Sequence, residues 1–238
     1  LALYGEPVDA PKPLALKLSD TLGQTGSGPL SYVAEPGWGS LQGQDHIGST
    51  HGGVVVDQAG NVYVSTDGPN GIMVYRKDGT YLNSLAKGEG PYHGLTIATE
   101  NGQEFIYAAS KQKMLKYTLR GKPVLTIEGA KQTQGNTWAK ATAVAVSANG
   151  DIFIADGYGS SLIFKYDNTG KFVKKFGARG NAQGQFMTSH GLAIDSRNPA
   201  RPLLLVCDRE NKRLQHFDLE GNFVNIVIEG LRRPCAVS

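Results

Sequence analysis

Three histidines of this 238-residue chain are each followed by glycine and a short apolar run. They are His51, His93 and His190, in HGGVVV, HGLTIA and HGLAID. When the runs are aligned, His93 and His190 share one position with Thr142. His51 is displaced by one residue, so its match requires a β-bulge. Neutral imidazoles that converge from separate segments suit a transition metal, zinc first. The alternative is that they hydrogen-bond inside a polar channel.

Tyr158 and Arg209 stand in loops that follow two equivalent apolar runs, and Asp156 opens the first of these loops. A phenol acts as a general acid or base when a neighbouring cation lowers its pKa. An arginine holds a carboxylate or stabilises developing negative charge. Tyr158 and Arg209 are therefore candidate catalytic residues, and Arg209 and Asp156 are candidate substrate-binding residues. Tyrosine and arginine also line many loops that carry no chemistry.

The elements that must position these side chains form a repeat. Each unit supplies three short apolar strands, a turn around a glycine and a fourth strand. The turn glycines recur 42, 49 and 51 residues apart, a period typical of β-propeller blades. They are Gly79, Gly121, Gly170 and Gly221. A propeller brings equivalent positions of different blades together around one axis, so histidines distant in sequence are expected to meet.

The repeat predicts an all-β chain with two regions. Residues 1–30 form an extended lead-in, and residues 31–238 form the propeller, which opens with a lone strand in SYVAEPGW. The expected blades are 51–90, 91–135, 138–183 and 186–230, and a fifth begins at 232. We expect part of a larger propeller of six blades. The alternative is a four-bladed ring closed by the terminal strands.

Composition excludes several classes of function. A net charge of +3, from 24 basic and 21 acidic residues, predicts no nucleic-acid partner. No apolar run is long enough to span a membrane, and no signal peptide is visible. Cys207 and Cys235 form no disulfide framework, and Cys207 is expected to pack as a small hydrophobic residue.

Three motifs give the chain a specific resemblance. They are YHGLTIA, DGYGSS with the strand that follows it, and SHGLAID with CDRENKRLQ. The repeats resemble NHL-type propellers, and these motifs are similar to those of peptidyl-α-hydroxyglycine α-amidating lyases. The resemblance covers residues 31–238. It implies a six-bladed propeller, secreted or periplasmic, that holds zinc on three histidines and a structural calcium in its channel.

By motif, the resemblance assigns roles to individual residues. His93 and His190 match two zinc ligands, Tyr158 matches the catalytic tyrosine, and Arg209 matches a substrate-site arginine. The backbone carbonyl of Leu95 matches a calcium ligand. The family's third zinc histidine belongs to a last blade that this sequence does not contain. An arginine expected after the second strand of blade one is absent, and His51 is an additional candidate ligand.

Two functions remain open at this point. One is a zinc-dependent lyase that cleaves a carbinolamide C–N bond in a small or peptide substrate and releases an amide and glyoxylate. The other is a non-catalytic NHL propeller that binds a protein, peptide or glycan partner on the same face. An RNA-binding NHL module is disfavoured by the balanced charge.

Overall fold

The computed structural model describes residues 25–27, 30–33, 35, 37–39 and 47–238. Its internal contacts divide the chain into two units, Leu1–Trp38 and Gly39–Ser238. In the first unit, β1 (Thr25–Ser27) pairs with β2 (Leu30–Tyr32) in an antiparallel hairpin. The sequence predicted a lone strand here, and the pairing corrects this. The remainder of the expected lead-in lies outside the described residues.

The second unit contains four separate sheets of four antiparallel strands, as the repeat predicted. The strands of blade one are β3 (Val54–Val56), β4 (Val62–Ser65), β5 (Ile72–Tyr75) and β6 (Tyr81–Leu85). Those of blade two are β7 (Tyr92–Glu100), β8 (Gln103–Ser110), β9 (Lys113–Thr118) and β10 (Pro123–Glu128). Those of blade three are β11 (Ala143–Val146), β12 (Ile152–Ala155), β13 (Ile163–Tyr166) and β14 (Phe172–Phe176). Those of blade four are β15 (Ser189–Asp195), β16 (Leu203–Asp208), β17 (Arg213–Asp218) and β18 (Phe223–Ile228).

Each sheet is a meander in which strands pair in sequence order. The turns expected from sequence close the outer hairpins: Gly121 donates its amide to the Thr118 carbonyl, and Gly221 does the same to Asp218. Both glycines have a φ near +80°. This conformation is cheap only for glycine, which explains why each repeat needs one there.

The core lies between neighbouring blades, because the middle strands of each sheet are buried on both faces. Trp138 packs among residues of blades two and three, and its indole Nε1 donates to the hydroxyl of Tyr166 at 2.9 Å. Phe153 of blade three packs against Val206 and Phe217 of blade four. Cys207 is fully buried, and neither it nor Cys235 forms a disulfide.

The segment after blade four occupies the place of a further first strand. The carbonyl of Cys235 lies beside His190 in the way that the carbonyl of Thr142, at the entrance to blade three, lies beside His93. Blades two and three are consecutive, so this relation makes residues 232–238 the entrance to a fifth blade. This arrangement favours a larger propeller over a four-bladed ring.

Helix is nearly absent from the described part of the chain. It is limited to one 3₁₀ turn, Gly129–Lys131. Accordingly, no helix among these residues has the length and apolar character needed to cross a membrane.

Candidate active site

The three His-Gly histidines meet at one end of the central channel. The ring centroids of His51 and His93 are 4.5 Å apart, and those of His93 and His190 are 4.8 Å apart. His93 and His190 each lie at a break in the strand register, between Tyr92 and Gly94 in β7 and near the start of β15. This irregularity turns each ring away from the regular strand alternation.

His51 joins the cluster by a different local path. It precedes the first regular residue of β3, Val54, and is followed by Gly52 with a φ of +83°. The left-handed glycine absorbs the extra residue that separates His51 from the position of the other two histidines. The expected displacement is therefore real, and it does not prevent the ring from reaching its neighbours.

Hydrogen bonds set the tautomer of two of these histidines. Nδ1 of His93 lies 2.8 Å from the Thr142 carbonyl, and Nδ1 of His190 lies 2.8 Å from the Cys235 carbonyl. A carbonyl only accepts, so each Nδ1 carries the proton and each Nε2 carries a lone pair. Outer partners of this kind orient metal-binding histidines in known sites.

The third histidine has an acidic partner. Nδ1 of His51 lies 2.6 Å from Oδ1 of Asp67, which begins the loop after β4. Asp67 is a functional candidate that the sequence did not single out. A carboxylate behind a histidine fixes the orientation of the ring.

The environment keeps the buried imidazoles neutral. Burial lowers the pKa of His93 to about 4. Burial also lowers the pKa of His190, and the positive charge of Arg209 lowers it further. Nε2 of His93 is buried and has no hydrogen-bond partner among the described residues. An unpaired lone pair inside the protein is costly unless a ligand takes it.

The glycine after His93 and the glycine after His190 allow the backbone of the next blade to approach closely. A side chain at Gly94 would place its Cβ 2.8 Å from the Thr142 carbonyl oxygen, and one at Gly191 would place it 2.7 Å from that of Cys235. Both neighbours are backbone atoms that cannot move aside. The glycine that follows each of these histidines is thus required by the approach of the next blade.

Tyr158 lies directly over the histidines. Its hydroxyl is 2.9 Å from Nε2 of His190, and its ring packs edge-on against both His93 and His190. Since Nε2 of His190 carries the lone pair, the phenol donates this hydrogen bond. Tyr158 as a whole remains 43% exposed.

Arg209 lies on the same rim. Its Nη1 donates to Oε1 of Glu210 at 3.0 Å, and Oε2 of Glu210 binds Nε of Arg233 at 3.1 Å. The charge of Arg209 acts on both His190 and Tyr158. The expected grouping of Tyr158 with Arg209 near the histidines is therefore present.

Asp156 has a structural task in this site. It is 2% exposed, and its Oδ1 accepts the amides of Ala139 and Lys140. Its Oδ2 accepts the amide and hydroxyl of Ser160. These bonds occupy both carboxylate oxygens and hold the loop that carries Tyr158, while the predicted contact of Asp156 with a substrate stays a prediction.

Two cavities meet at the cluster. One of about 320 Å³ is the channel, lined by all three histidines and by Leu95, the residue matched to a calcium ligand. The other, of about 540 Å³, opens at the rim between blades two and three, and we call it the rim cavity. Its lining consists of His51, Pro91, His93, Lys111, Lys140, Ala141 and Tyr158. The two lysines were not anticipated from the sequence, in which nothing distinguishes them from other loop lysines.

The donor set fits zinc in kind. His93 and His190 have lowered pKa values and Nε2 set as an acceptor, and Nε2 of His93 is unsatisfied. Within the described ranges, no group of three or more His, Cys, Asp or Glu side chains has a geometry that could hold a metal ion. The Nε2 lone pair of His190 accepts the Tyr158 hydroxyl in this structure.

Comparison with known proteins supports the resemblance expected from the sequence. Residues 132–227 match a family described as a 6-bladed beta-propeller. Peptidyl-alpha-hydroxyglycine alpha-amidating lyase 1 of Drosophila melanogaster is 36% identical over 137 residues, which cover 52% of this chain and 25% of that protein. NHL repeat-containing protein 3 of Homo sapiens is 26% identical over 204 residues, which cover 79% of this chain and 57% of the human protein.

A solved structure gives the same fold. A catalytically inactive virginiamycin B lyase from Staphylococcus aureus, determined with quinupristin, superimposes with a TM-score of 0.56 at 16% identity. The match covers 77% of this chain and 57% of that one. This chain is thus a β-propeller similar to amidating lyases, and it spans only part of the length of these relatives.

Proposed function

We propose that this chain forms part of a zinc-dependent carbon–nitrogen lyase that cleaves a carbinolamide, as the similarity to amidating lyases suggests. The products are an amide and glyoxylate. The observation that supports this most directly is the convergence of His51, His93 and His190 beneath Tyr158. The four side chains come from four separate segments of the chain, two of them strands and two of them loops.

His93, His190 and His51 would hold the zinc through Nε2. The Nδ1 atoms of the three rings are bound to two carbonyls and to Asp67, so Nε2 is the nitrogen left to face a metal. At His190 the zinc would take the place of the Tyr158 hydrogen bond. When bound, zinc supplies a Lewis acid that polarises a substrate oxygen. Calcium on the Leu95 carbonyl in the channel is part of the same proposal and rests on the resemblance alone.

Tyr158 would transfer the proton. Its phenolate accepts the proton of the substrate hydroxyl, the O–H electron pair forms the aldehyde C=O, and the C–N bond breaks. Tyr158 then returns the proton to the departing nitrogen, so that the amide leaves neutral and the residue is restored. Arg209 lies on the same rim as Tyr158, and its positive charge lowers the pKa of His190.

Arg209 would orient the substrate. Its guanidinium provides a planar set of donors suited to a carboxylate. Glu210 already holds one of its nitrogens at 3.0 Å, which fixes the direction of the side chain. Asp156 would act indirectly, because it holds the loop on which Tyr158 stands.

The test is zinc content and glyoxylate release from N-acetyl-α-hydroxyglycine, measured on the purified full-length protein that contains this chain. We expect stoichiometric zinc and turnover in the native protein. The double variant His93→Ala/His190→Ala should lose both, and its circular dichroism should stay unchanged.

The competing function is a non-catalytic platform that binds a protein, peptide or glycan, as the match to an NHL repeat protein allows. A folded native protein that takes up no zinc and releases no glyoxylate would support the platform. That result would reject the lyase.

A further inference from the structure

The rim cavity carries two lysines that the proposed chemistry does not use. Lys111 lies in the turn between β8 and β9, and Lys140 lies in the loop that enters β11. Both line the cavity together with Tyr158, His51 and His93. They come from different blades and converge on one opening beside the histidine cluster.

The backbone around both lysines is fixed. The amide of Ala141 donates to the Lys111 carbonyl at 3.0 Å, which ties the two loops together. The amide of Lys140 donates to Oδ1 of Asp156 at 2.7 Å, and its carbonyl accepts the amide of Tyr158. The backbone of Lys140 is therefore bound directly to the loop that presents the phenol, and the backbone of Lys111 is bound to Ala141 beside it.

Neither ammonium group has an acidic partner among the described residues. Other lysines of the propeller do: Lys116 binds Glu100 at 2.6 Å and Lys165 binds Glu220 at 2.9 Å. No carboxylate lines the rim cavity. Two uncompensated positive charges at the wall of a cavity favour an anionic ligand.

Arg209 does not supply positive charge to the rim cavity. It is absent from the lining of the rim cavity, and its guanidinium is held by Glu210. A ligand that reaches Tyr158 with one end toward Arg209 would therefore extend its other end toward the lysines. Arg209 and the lysine pair would therefore bind different parts of one ligand.

We propose that Lys111 and Lys140 bind a second carboxylate, carried on the acyl side of the ligand, and so select acidic acyl groups. The placement of the ligand rests on the proposed lyase function. The recognition itself is charge pairing, and it requires no turnover.

The test uses two stable probes, N-succinylglycine and N-succinamoylglycine, which differ only in a terminal carboxylate against a neutral amide. Neither carries the hydroxyl group needed for cleavage. Binding to the native full-length protein is measured by calorimetry at low salt. We expect the carboxylate probe to bind about tenfold more tightly than the amide probe, an advantage that salt weakens.

The variant Lys111→Ala/Lys140→Ala should lose this preference and keep its affinity for the amide probe. The matched control is Lys122→Ala/Lys171→Ala, which removes the same charge at outer turns. It should retain the preference. Equal binding of the two probes by native protein, no binding of either, or a preference that survives Lys111→Ala/Lys140→Ala would each overturn the proposal.

Glyoxylate release from N-acetyl-α-hydroxyglycine is measured in parallel. A lysine-dependent preference for the acidic probe without glyoxylate release would reject the lyase and retain the anion site. Glyoxylate release without a preference for the acidic probe would retain the lyase and reject the anion site. The two proposals therefore fail separately.

Discussion

The hydroxyl of Tyr158 donates a hydrogen bond to Nε2 of His190 across 2.9 Å, from blade three to blade four. The same nitrogen is the one left free by the bond from Nδ1 to the Cys235 carbonyl. The candidate proton-transfer group and a candidate zinc ligand are thus in direct contact. A metal that binds Nε2 of His190 must therefore displace the hydroxyl of Tyr158 from this nitrogen.

Replacing Tyr158 by phenylalanine keeps the ring against the histidines and removes only the hydroxyl. We expect zinc to be retained and turnover to fall by about 10²–10⁴-fold, the usual contribution of a positioned acid or base. Tyr81→Phe, on the outermost strand of blade one, should leave turnover unchanged. Steady-state glyoxylate release and metal analysis measure the two effects. Full activity in Tyr158→Phe would assign the proton transfer to another group.

The Asp67–His51 pair predicts a specific effect on metal affinity. Asp67→Asn weakens the acceptor that holds Nδ1 of His51. We expect zinc affinity to drop by about 10–100-fold, as it does when outer-shell carboxylates of metal sites are replaced. Competition with a chromogenic chelator measures it. Asp78→Asn, at the turn between β5 and β6, is the control, and an affinity unchanged in Asp67→Asn would remove His51 from the ligand set.

Gly94 tests whether close approach of blades two and three sets the site. Gly94→Ala drives a Cβ to 2.8 Å from the Thr142 carbonyl oxygen, so we expect a loss of about 1–3 kcal/mol in the free energy of unfolding. The bond from His93 Nδ1 should weaken with it. Gly68→Ala meets no atom within 4 Å and should be neutral. Urea unfolding compares the two, and equal stability would show that the interface yields without strain.

The hairpin carboxylate of Asp57 predicts sensitivity to acid. Burial raises its pKa, but hydrogen bonds from Asn61 and Tyr63 lower it more, and the net pKa lies below the usual 3.8. The unfolded chain therefore binds the proton more readily than the folded one. The stabilisation is present above the usual pKa and is lost as pH falls toward the lowered value.

Asp57→Asn removes this titration. We expect the variant to be less stable at neutral pH by about 1 kcal/mol, with a shallower loss of stability as the pH falls from about 5 toward the lowered pKa of Asp57. Urea unfolding at several pH values checks both expectations. Identical pH profiles for variant and native protein would show that other carboxylates control the acid response.

Much of the fold follows from local sequence. Alternating apolar residues and turn glycines predicted the four-stranded meanders, and the turn at Gly121 or Gly221 needs only its own few residues to form. The hairpin of Leu30–Tyr32 with Thr25–Ser27 was missed, because short strands with few apolar residues carry little periodic signal.

The candidate site was only partly predictable. The shared position of His93 and His190 could be read from alignment of the repeats. The role of Asp156 could not, because an acid after a strand looks the same whether it faces substrate or binds backbone amides. The partnership of Asp67 with His51, and the pairing of Lys111 with Lys140, join residues whose relation depends on contacts between loops.

The sequence by itself determined which residues form strands, where the blades turn and which histidines stand at equivalent positions, because a period of two along a strand decides the face that each residue takes. Tertiary structure alone decided which groups touch. The distance between rings depends on how neighbouring blades pack and on the left-handed backbone at Gly52. Those distances depend on the positions of whole sheets relative to one another, so they cannot be predicted from a local sequence pattern.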